Sequence, residues 1–222
     1  MSLRYRCLVL DHDDTVVDST ATIHHPCFQA FLDEVRPGAR IDLETYLLEN
    51  FTGSFPALCR GRYGLTEAEM ARELQFWDAY VAAHVPRAYS GMAAFLARYR
   101  AAGGKLCVVS HSLSGNIRRD YRENGLPEPD LIFGWDAPPE QRKPNAYPLR
   151  EIMRQLALPP SALLMVDDLR HGYTMAKSCG VAFAAAGWAY ALAPIETFMR
   201  AHCDIYLQEG RDLIARSFPM QS

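Results

Sequence analysis

The chain has 222 residues, of which 49% are hydrophobic and 22% charged, with a formal net charge of -3. This is enough chain for one large domain, or one domain with a smaller insert, and the composition is that of a globular protein with a packed core. The charge balance excludes an electrostatic case for nucleic acid or an anionic membrane as partner. Positive charge is nearly all arginine, with Lys105, Lys143 and Lys177 the only lysines. Cys7, Cys27, Cys59, Cys107, Cys179 and Cys203 form no C-x-x-C pair, so they read as reduced thiols and not as a disulfide framework or zinc site. No basic start leads into a long apolar stretch, so no signal peptide or membrane span is expected and the cytoplasm is the default location.

In chain order, Cys7-Leu8-Val9-Leu10 is an apolar run that ends on a cluster of acids, Asp11, Asp13 and Asp14. Short, fully apolar runs read as buried parallel strands. From about Asp18 to Arg87 no strand pattern is visible. Phe28, Phe31, Leu32 and Val35 mark one helix, and Thr66-Glu67-Ala68-Glu69 is a capping box opening another through Leu74, Trp77, Tyr80 and Val81. Pro37-Gly38 and Tyr63-Gly64 punctuate these segments. Beyond them the chain alternates. A helix is expected from Ser90 to Ala102, a strand at Leu106–Val109, a strand at Leu131–Phe133 and a helix from Asn145 to Leu156. A strand at Leu163–Val166, a helix from Gly172 to Cys179 and a strand at Val181–Ala184 complete the series. The alternation predicts an α/β fold, a parallel sheet covered by helices on both faces, with an all-helical insert after the first strand.

In such sheets ligands bind at the carboxyl ends of the strands. There the first strand presents Asp11, Asp13 and Thr15, the second Ser110, and the fourth Asp167 and Asp168, while Lys143 precedes a helix. Carboxylates, a hydroxyl and a lysine converging on one edge are costly without a cation and an anion to neutralise them. Magnesium on the carboxylates, with a phosphoryl group facing Lys143 and Ser110, meets both needs.

These motifs resemble the haloacid dehalogenase-like hydrolase superfamily. Leu8-Val9-Leu10-Asp11-His12-Asp13-Asp14-Thr15 is similar to its strand followed by D-x-D-x-T. Val108-Val109-Ser110 matches the second element, Arg142-Lys143-Pro144 the third, and Met165-Val166-Asp167-Asp168 with Gly172 the fourth. The paired acids with a glycine four residues on resemble the branch holding β-phosphoglucomutase and many sugar-phosphate phosphatases. The resemblance implies a doubly wound, Rossmann-like core at 1–17 and 88–222 and a helical cap at 18–87.

It also implies roles. Asp11 is the nucleophile that forms an aspartyl-phosphate. Asp13 protonates the leaving oxygen and then takes a proton from water. The Asp11 carboxylate, the Asp13 carbonyl oxygen and Asp168 hold magnesium, with Asp167 a direct or water-bridged ligand. Ser110 hydrogen-bonds the phosphoryl oxygens and Lys143 offsets their charge. Asp14, where glycine or a small residue is commonest, is expected to contribute its backbone amide and to carry a solvated or capping side chain. His12 and His111 are candidate substrate contacts, although packing explains them as well, and His24, His25 and His171 read as packing or surface residues. Thr52, Ser54, Arg60 and Arg62 of the cap are candidates to touch a sugar or carboxylate.

Within the superfamily, Asp13 argues against dehalogenation, whose members resemble D-x-Y-x-T. Residues 18–87 contain no lysine, which excludes the phosphonate hydrolases that form a Schiff base there. The expected activity is magnesium-dependent hydrolysis of a small phosphomonoester. A phosphomutase of the β-phosphoglucomutase type is the alternative, and a non-catalytic binding or regulatory module a more distant one.

Overall fold

The structure, a computed structural model, describes residues 3–218. The chain divides into two compact units, one of residues 1–18 and 87–222 and the other Ser19–Pro86.

The first unit is built on eight strands: β1 (Cys7–Leu10), β2 (Val17–Asp18), β3 (Arg87–Ala88), β4 (Lys105–Val109), β5 (Leu131–Phe133), β6 (Leu163–Asp167), β7 (Ala182–Ala186) and β8 (Ile205–Leu207). Six of them form one sheet in the order β5-β4-β1-β6-β7-β8, every neighbouring pair parallel. β1 lies between two partners, with Leu8 opposite Leu106 on one side and Leu164 on the other. All four of its residues are buried, which explains why it reads as a continuous apolar run and not an alternating one. From β1 the chain continues to β4 on one side, whereas from β6 it continues to β7 on the other. The strand order therefore reverses between β1 and β6, where an open α/β sheet leaves a crevice at its carboxyl edge.

Ten α-helices accompany the strands among the described residues. Those of the first unit are α5 (Met92–Ala101), α6 (Ser114–Glu123), α7 (Tyr147–Leu156), α8 (Arg170–Ser178), α9 (Ala193–His202) and α10 (Asp212–Ser217). Met92, Phe95, Leu96 and Tyr99 of α5 enter the same core as Leu8, Leu10, Leu106 and Val108. The Tyr99 hydroxyl donates to the Tyr5 carbonyl at 2.8 Å, so the buried ring leaves no polar group unmet. Sequence patterning missed α6, α9, α10 and β8. In α6 only Ile117, Asp120 and Tyr121 are buried, too sparse an apolar stripe to read. β2 and β3 form an antiparallel pair of two residues each, Val17 opposite Ala88 and Asp18 opposite Arg87, at the two ends of the stretch expected to lack strands. Such a pair is too short to show periodicity. All six cysteines are free, four of them buried, and Cys7 and Cys107 lie side by side on β1 and β4 with their sulfurs 3.7 Å apart.

The second unit holds α1 (His25–Val35), α2 (Leu43–Thr52), α3 (Phe55–Tyr63) and α4 (Glu67–Ala83). Phe28, Phe31 and Leu32 of α1 pack with Tyr46, Leu58, Cys59 and Leu65. Both halves of the Thr66–Glu69 capping box are formed, and Glu69 also takes a two-pronged bond from Arg36. The polar residues singled out here each have a partner in the unit. The Thr52 hydroxyl donates to the Leu48 carbonyl, and Ser54 caps α3 by accepting from the Ala57 amide. Arg60 pairs with Glu67 and Arg62 with Glu49.

Glu73 of α4 is an exception to the apolar interior, at 6% exposure. Burial raises its carboxyl from 4.5 to about 7, against a smaller opposing effect of His24. Between these two values the folded chain holds a proton that the unfolded chain has released, so stability falls as pH rises through that window. The loss amounts to on the order of 3 kcal/mol by pH 8. Thermal unfolding of the intact chain at pH 5 and pH 8 measures it. The midpoint of wild type is expected to drop more than that of Glu73→Gln, and parallel pH dependence in the two proteins would exclude Glu73 as its source.

Candidate active site

The end of β1 turns sharply into the acidic motif. The Asp11 amide donates to the Val166 carbonyl of β6 at 2.9 Å, so the residue is still held by the sheet. The His12 carbonyl then accepts from the amides of Val16 and Val17, and the Asp14 amide donates to the Val17 carbonyl at 2.7 Å. Asp14 adopts a left-handed conformation, φ 56°, to close this turn.

Asp11 meets the acids of β6 at the reversal point of the sheet. Carboxylate oxygens of Asp11, Asp167 and Asp168 lie within 4.8 Å of one another, and all three residues are buried. Lys143 reaches the same place from the loop before α7, its Nζ 2.9 Å from Asp167 Oδ2 and 2.8 Å from Asp11 Oδ1. The first contact is a hydrogen bond. The second is close in charge but not in direction, and Asp11 Oδ1 has no hydrogen-bond partner. Thr15 Oγ1 donates to Asp168 Oδ1 at 3.3 Å, and the Leu169 amide to Asp167 Oδ1 at 2.8 Å. Gly172 explains itself here: a Cβ at that position would lie 2.2 Å from Asp167 Oδ2.

The electrostatics of this group are unbalanced. Burial and the neighbouring Asp11 charge push Asp167 up to about 7 despite Lys143, and burial with Asp167 and Asp11 beside it pushes Asp168 well above the usual carboxylate range. Burial acts to lower Lys143, but Asp11 and Asp167 outweigh it and hold the lysine above its ordinary value. Three buried carboxylates face one ammonium, so ionising all of them requires further positive charge. An all-oxygen donor set with one oxygen lacking a hydrogen bond suits a hard divalent cation.

The second half of the site sits at the end of β4. Asp13 Oδ2 accepts from Ser112 Oγ at 2.6 Å and lies 3.4 Å from Ser110 Oγ. Ser112 was not among the residues singled out from the sequence. It lies in a bend past the end of β4, where its amide donates to Ser110 Oγ at 3.1 Å, so strand alternation does not mark it. His111 points elsewhere. Its Nε2 donates to the Lys143 carbonyl at 3.1 Å, and its ring stands against Trp135 and His171. Burial, Lys143 and His171 lower it to about 3, so the ring is neutral and serves as a donor to the lysine's backbone.

His12 and Asp14 differ in surroundings from their expectations. His12 is buried, its Nε2 3.0 Å from Asp120 Oδ2 and its ring stacked on Tyr121. Arg119 pairs with the other oxygen of that carboxylate. The ring is engaged with α6 and leaves almost no surface for a substrate. The solvated or capping side chain expected of Asp14 is corrected. It is 2% exposed and accepts a hydrogen bond from the Tyr190 hydroxyl. A left-handed turn directs it inward, which alternation along a strand could not reveal.

Comparison with known proteins agrees with this geometry. A phosphoglycolate phosphatase of Rhodospirillum rubrum is 31% identical over 133 residues, a stretch covering 59% of this chain and 54% of that protein. The match thus spans about half the length of the curated relative. A predicted phosphoglycolate phosphatase of Haemophilus somnus superposes with a TM-score of 0.77 at 20% identity, over 95% of this chain and 97% of the other. CbbY of Rhodobacter sphaeroides, crystallised with xylulose-1,5-bisphosphate, gives 0.69 at 20% identity over 92% and 94%. At such identities these structures speak for the fold. The family model for haloacid dehalogenase-like hydrolases matches residues 8–186, a span that includes the carboxyl ends of β1, β4 and β6, and the chain belongs to that family.

Proposed function

We propose that this protein is a magnesium-dependent phosphatase that hydrolyses a small phosphomonoester through an aspartyl-phosphate on Asp11. The observation that carries the reading is the buried Lys143 ammonium set between Asp11 and Asp167, with Asp168 in the same cluster. The relative from Rhodospirillum rubrum is named for phosphoglycolate and CbbY was crystallised with a sugar bisphosphate, which supports a small phosphorylated metabolite as substrate. To the helical insert, 18–87 by the sequence boundaries, we assign the choice among such metabolites. No described helix is long and apolar enough to cross a membrane, in keeping with a proposed cytoplasmic location.

Each role falls to a group in the site. Asp11 attacks phosphorus, and Lys143, 2.8 Å from its carboxylate, offsets the negative charge that arrives with the substrate. Asp13 gives a proton to the leaving oxygen and recovers one from the water that opens the acyl phosphate. Ser112 and Ser110 orient the Asp13 carboxylate for both transfers, and Ser110 also serves the phosphoryl oxygens. Asp11, Asp168 and the Asp13 carbonyl would hold magnesium, with Asp167 directly or through water. The bound cation would stabilise charge on the transferring phosphoryl group.

Phosphate release from p-nitrophenyl phosphate and a panel of phosphometabolites, including phosphoglycolate and sugar bisphosphates, tests the proposal. Wild type is expected to turn over with magnesium and to stop with a chelator, and Asp11→Asn to lose at least ~10³-fold in kcat, as removal of a covalent nucleophile does. Isomerisation of a hexose phosphate without release would make the protein a mutase, and inertness toward the whole panel would end the phosphatase reading. Cation binding has its own readout. Magnesium is expected to raise the Tm of wild type by mass action, and Asp168→Asn to abolish that rise.

A further inference from the structure

Two side chains from the segment after β7 hold consecutive residues of the Asp11–Thr15 loop. Trp188 Nε1 donates to the Thr15 carbonyl at 3.2 Å, and the Tyr190 hydroxyl donates to the Asp14 carboxylate. Trp188 also stands edge-on to Tyr89, whose amide donates to the Val16 carbonyl at 3.0 Å. Residues 188 and 190 lie past residue 186, where the family match ends.

Asp14 is one of two non-glycine residues at positive φ among those described, the other being Ala157. That conformation is strained for most L-residues, while Asp and Asn tolerate it. If Asp14 leaves it, the bond from its amide to Val17 is lost, and with it the turn in which Val16 and Val17 donate to His12. The peptide bounded by Asp11 and Asp13 is fixed by those same bonds. A buried carboxylate at such a position requires a donor, and Tyr190 supplies one.

We propose that Tyr190 is a positioning residue for the reaction at Asp11: through the Asp14 carboxylate it locks the left-handed turn that sets Asp11 and Asp13 in register. An Asp–Tyr clamp thereby does here what a glycine at position 14 would do by conformational freedom alone. This rests on the phosphatase reading above.

The clamp predicts a specific non-additivity. Tyr190→Phe is expected to lower kcat about 10-fold, the scale of one hydrogen bond to a charged group, with KM changed less than ~2-fold. In an Asp14→Gly background, where the turn needs no anchor, the same replacement should change kcat less than ~2-fold. Asp14→Asn, which tolerates the turn and keeps an oxygen for Tyr190, should retain most activity, whereas Asp14→Ala should fall below both it and Asp14→Gly. A 10-fold loss from Tyr190→Phe in both backgrounds, or Asp14→Ala equal to Asp14→Gly, would overturn the proposal. Hydrogen exchange at the Val16 and Val17 amides reads the clamp without turnover. It should accelerate about 10-fold in Tyr190→Phe and change little when that replacement is added to Asp14→Gly. An inactive wild type would therefore refute the phosphatase reading alone, while unaltered exchange in Tyr190→Phe would refute the clamp alone. If Tyr190→Phe does not fold, Tyr190→Leu takes its place in the same comparison, and an equal loss of kcat in the wild-type and Asp14→Gly backgrounds would overturn the clamp.

Discussion

The ammonium of Lys143 is the constraint around which this molecule is arranged. It is buried between the carboxylates of Asp11 and Asp167, and removing such charges from water costs several kcal/mol per ion unless each finds a partner. One lysine cannot balance Asp11, Asp167 and Asp168 together. Burial, with the neighbouring acid charges added to it, holds Asp167 and Asp168 above the usual carboxylate range, and a divalent cation would offset both effects. The deficit is the strongest physical reason to read the cluster as a place for a metal and a phosphoryl group and not as structural acids. Glu69 and Glu49, nearer the surface, are each matched by an arginine, Arg36 and Arg62.

The sheet brings these groups together with few degrees of freedom. β1 and β6 are neighbours whose onward connections leave in opposite directions, so their carboxyl ends border a crevice. Asp11 is fastened to β6 by its own amide, and Gly172 leaves space for Asp167 at the start of α8. On the other side of β1, β4 delivers Ser110 and Ser112 to Asp13. His111, between the two serines, faces away and holds the Lys143 backbone. Asp11 is thus held by a backbone hydrogen bond to β6, Lys143 by the His111 ring, and Asp13 by two serine hydroxyls.

Much of this was legible in the sequence because it depends on backbone periodicity. Buried parallel strands are continuous apolar runs, and the residues that follow them lie at one edge, so Asp11, Ser110, Asp167 and Asp168 could be placed at a common edge from pattern alone. Lys143 stood out by rarity. The Thr66–Glu69 capping box could be read because its chemistry is local. What escaped depends on side-chain direction at turns or on partners distant in sequence. The inward aim of Asp14 follows from a positive φ, and its partner Tyr190 lies 176 residues away. Ser112 lies in a bend past the end of β4, where alternation no longer fixes side-chain direction. The pairing of His12 with Asp120 joins a loop to a helix too polar to be recognised as buried on one face.

The central position of β1 has a consequence for how the chain is made. Its first partner begins at Lys105 and its second at Leu163, so on a ribosome adding roughly 5–20 residues per second β1 waits many seconds for its neighbours. In that interval Cys7–Leu10 is an apolar segment with unpaired backbone on both sides, the kind of edge that recruits other chains. The helical unit, whose contacts are local, emerges whole before any of the sheet can close. The Asp11, Asp167 and Asp168 cluster therefore assembles only when synthesis has passed Asp168, and a chain arrested earlier carries the Asp11–Thr15 motif without its partners.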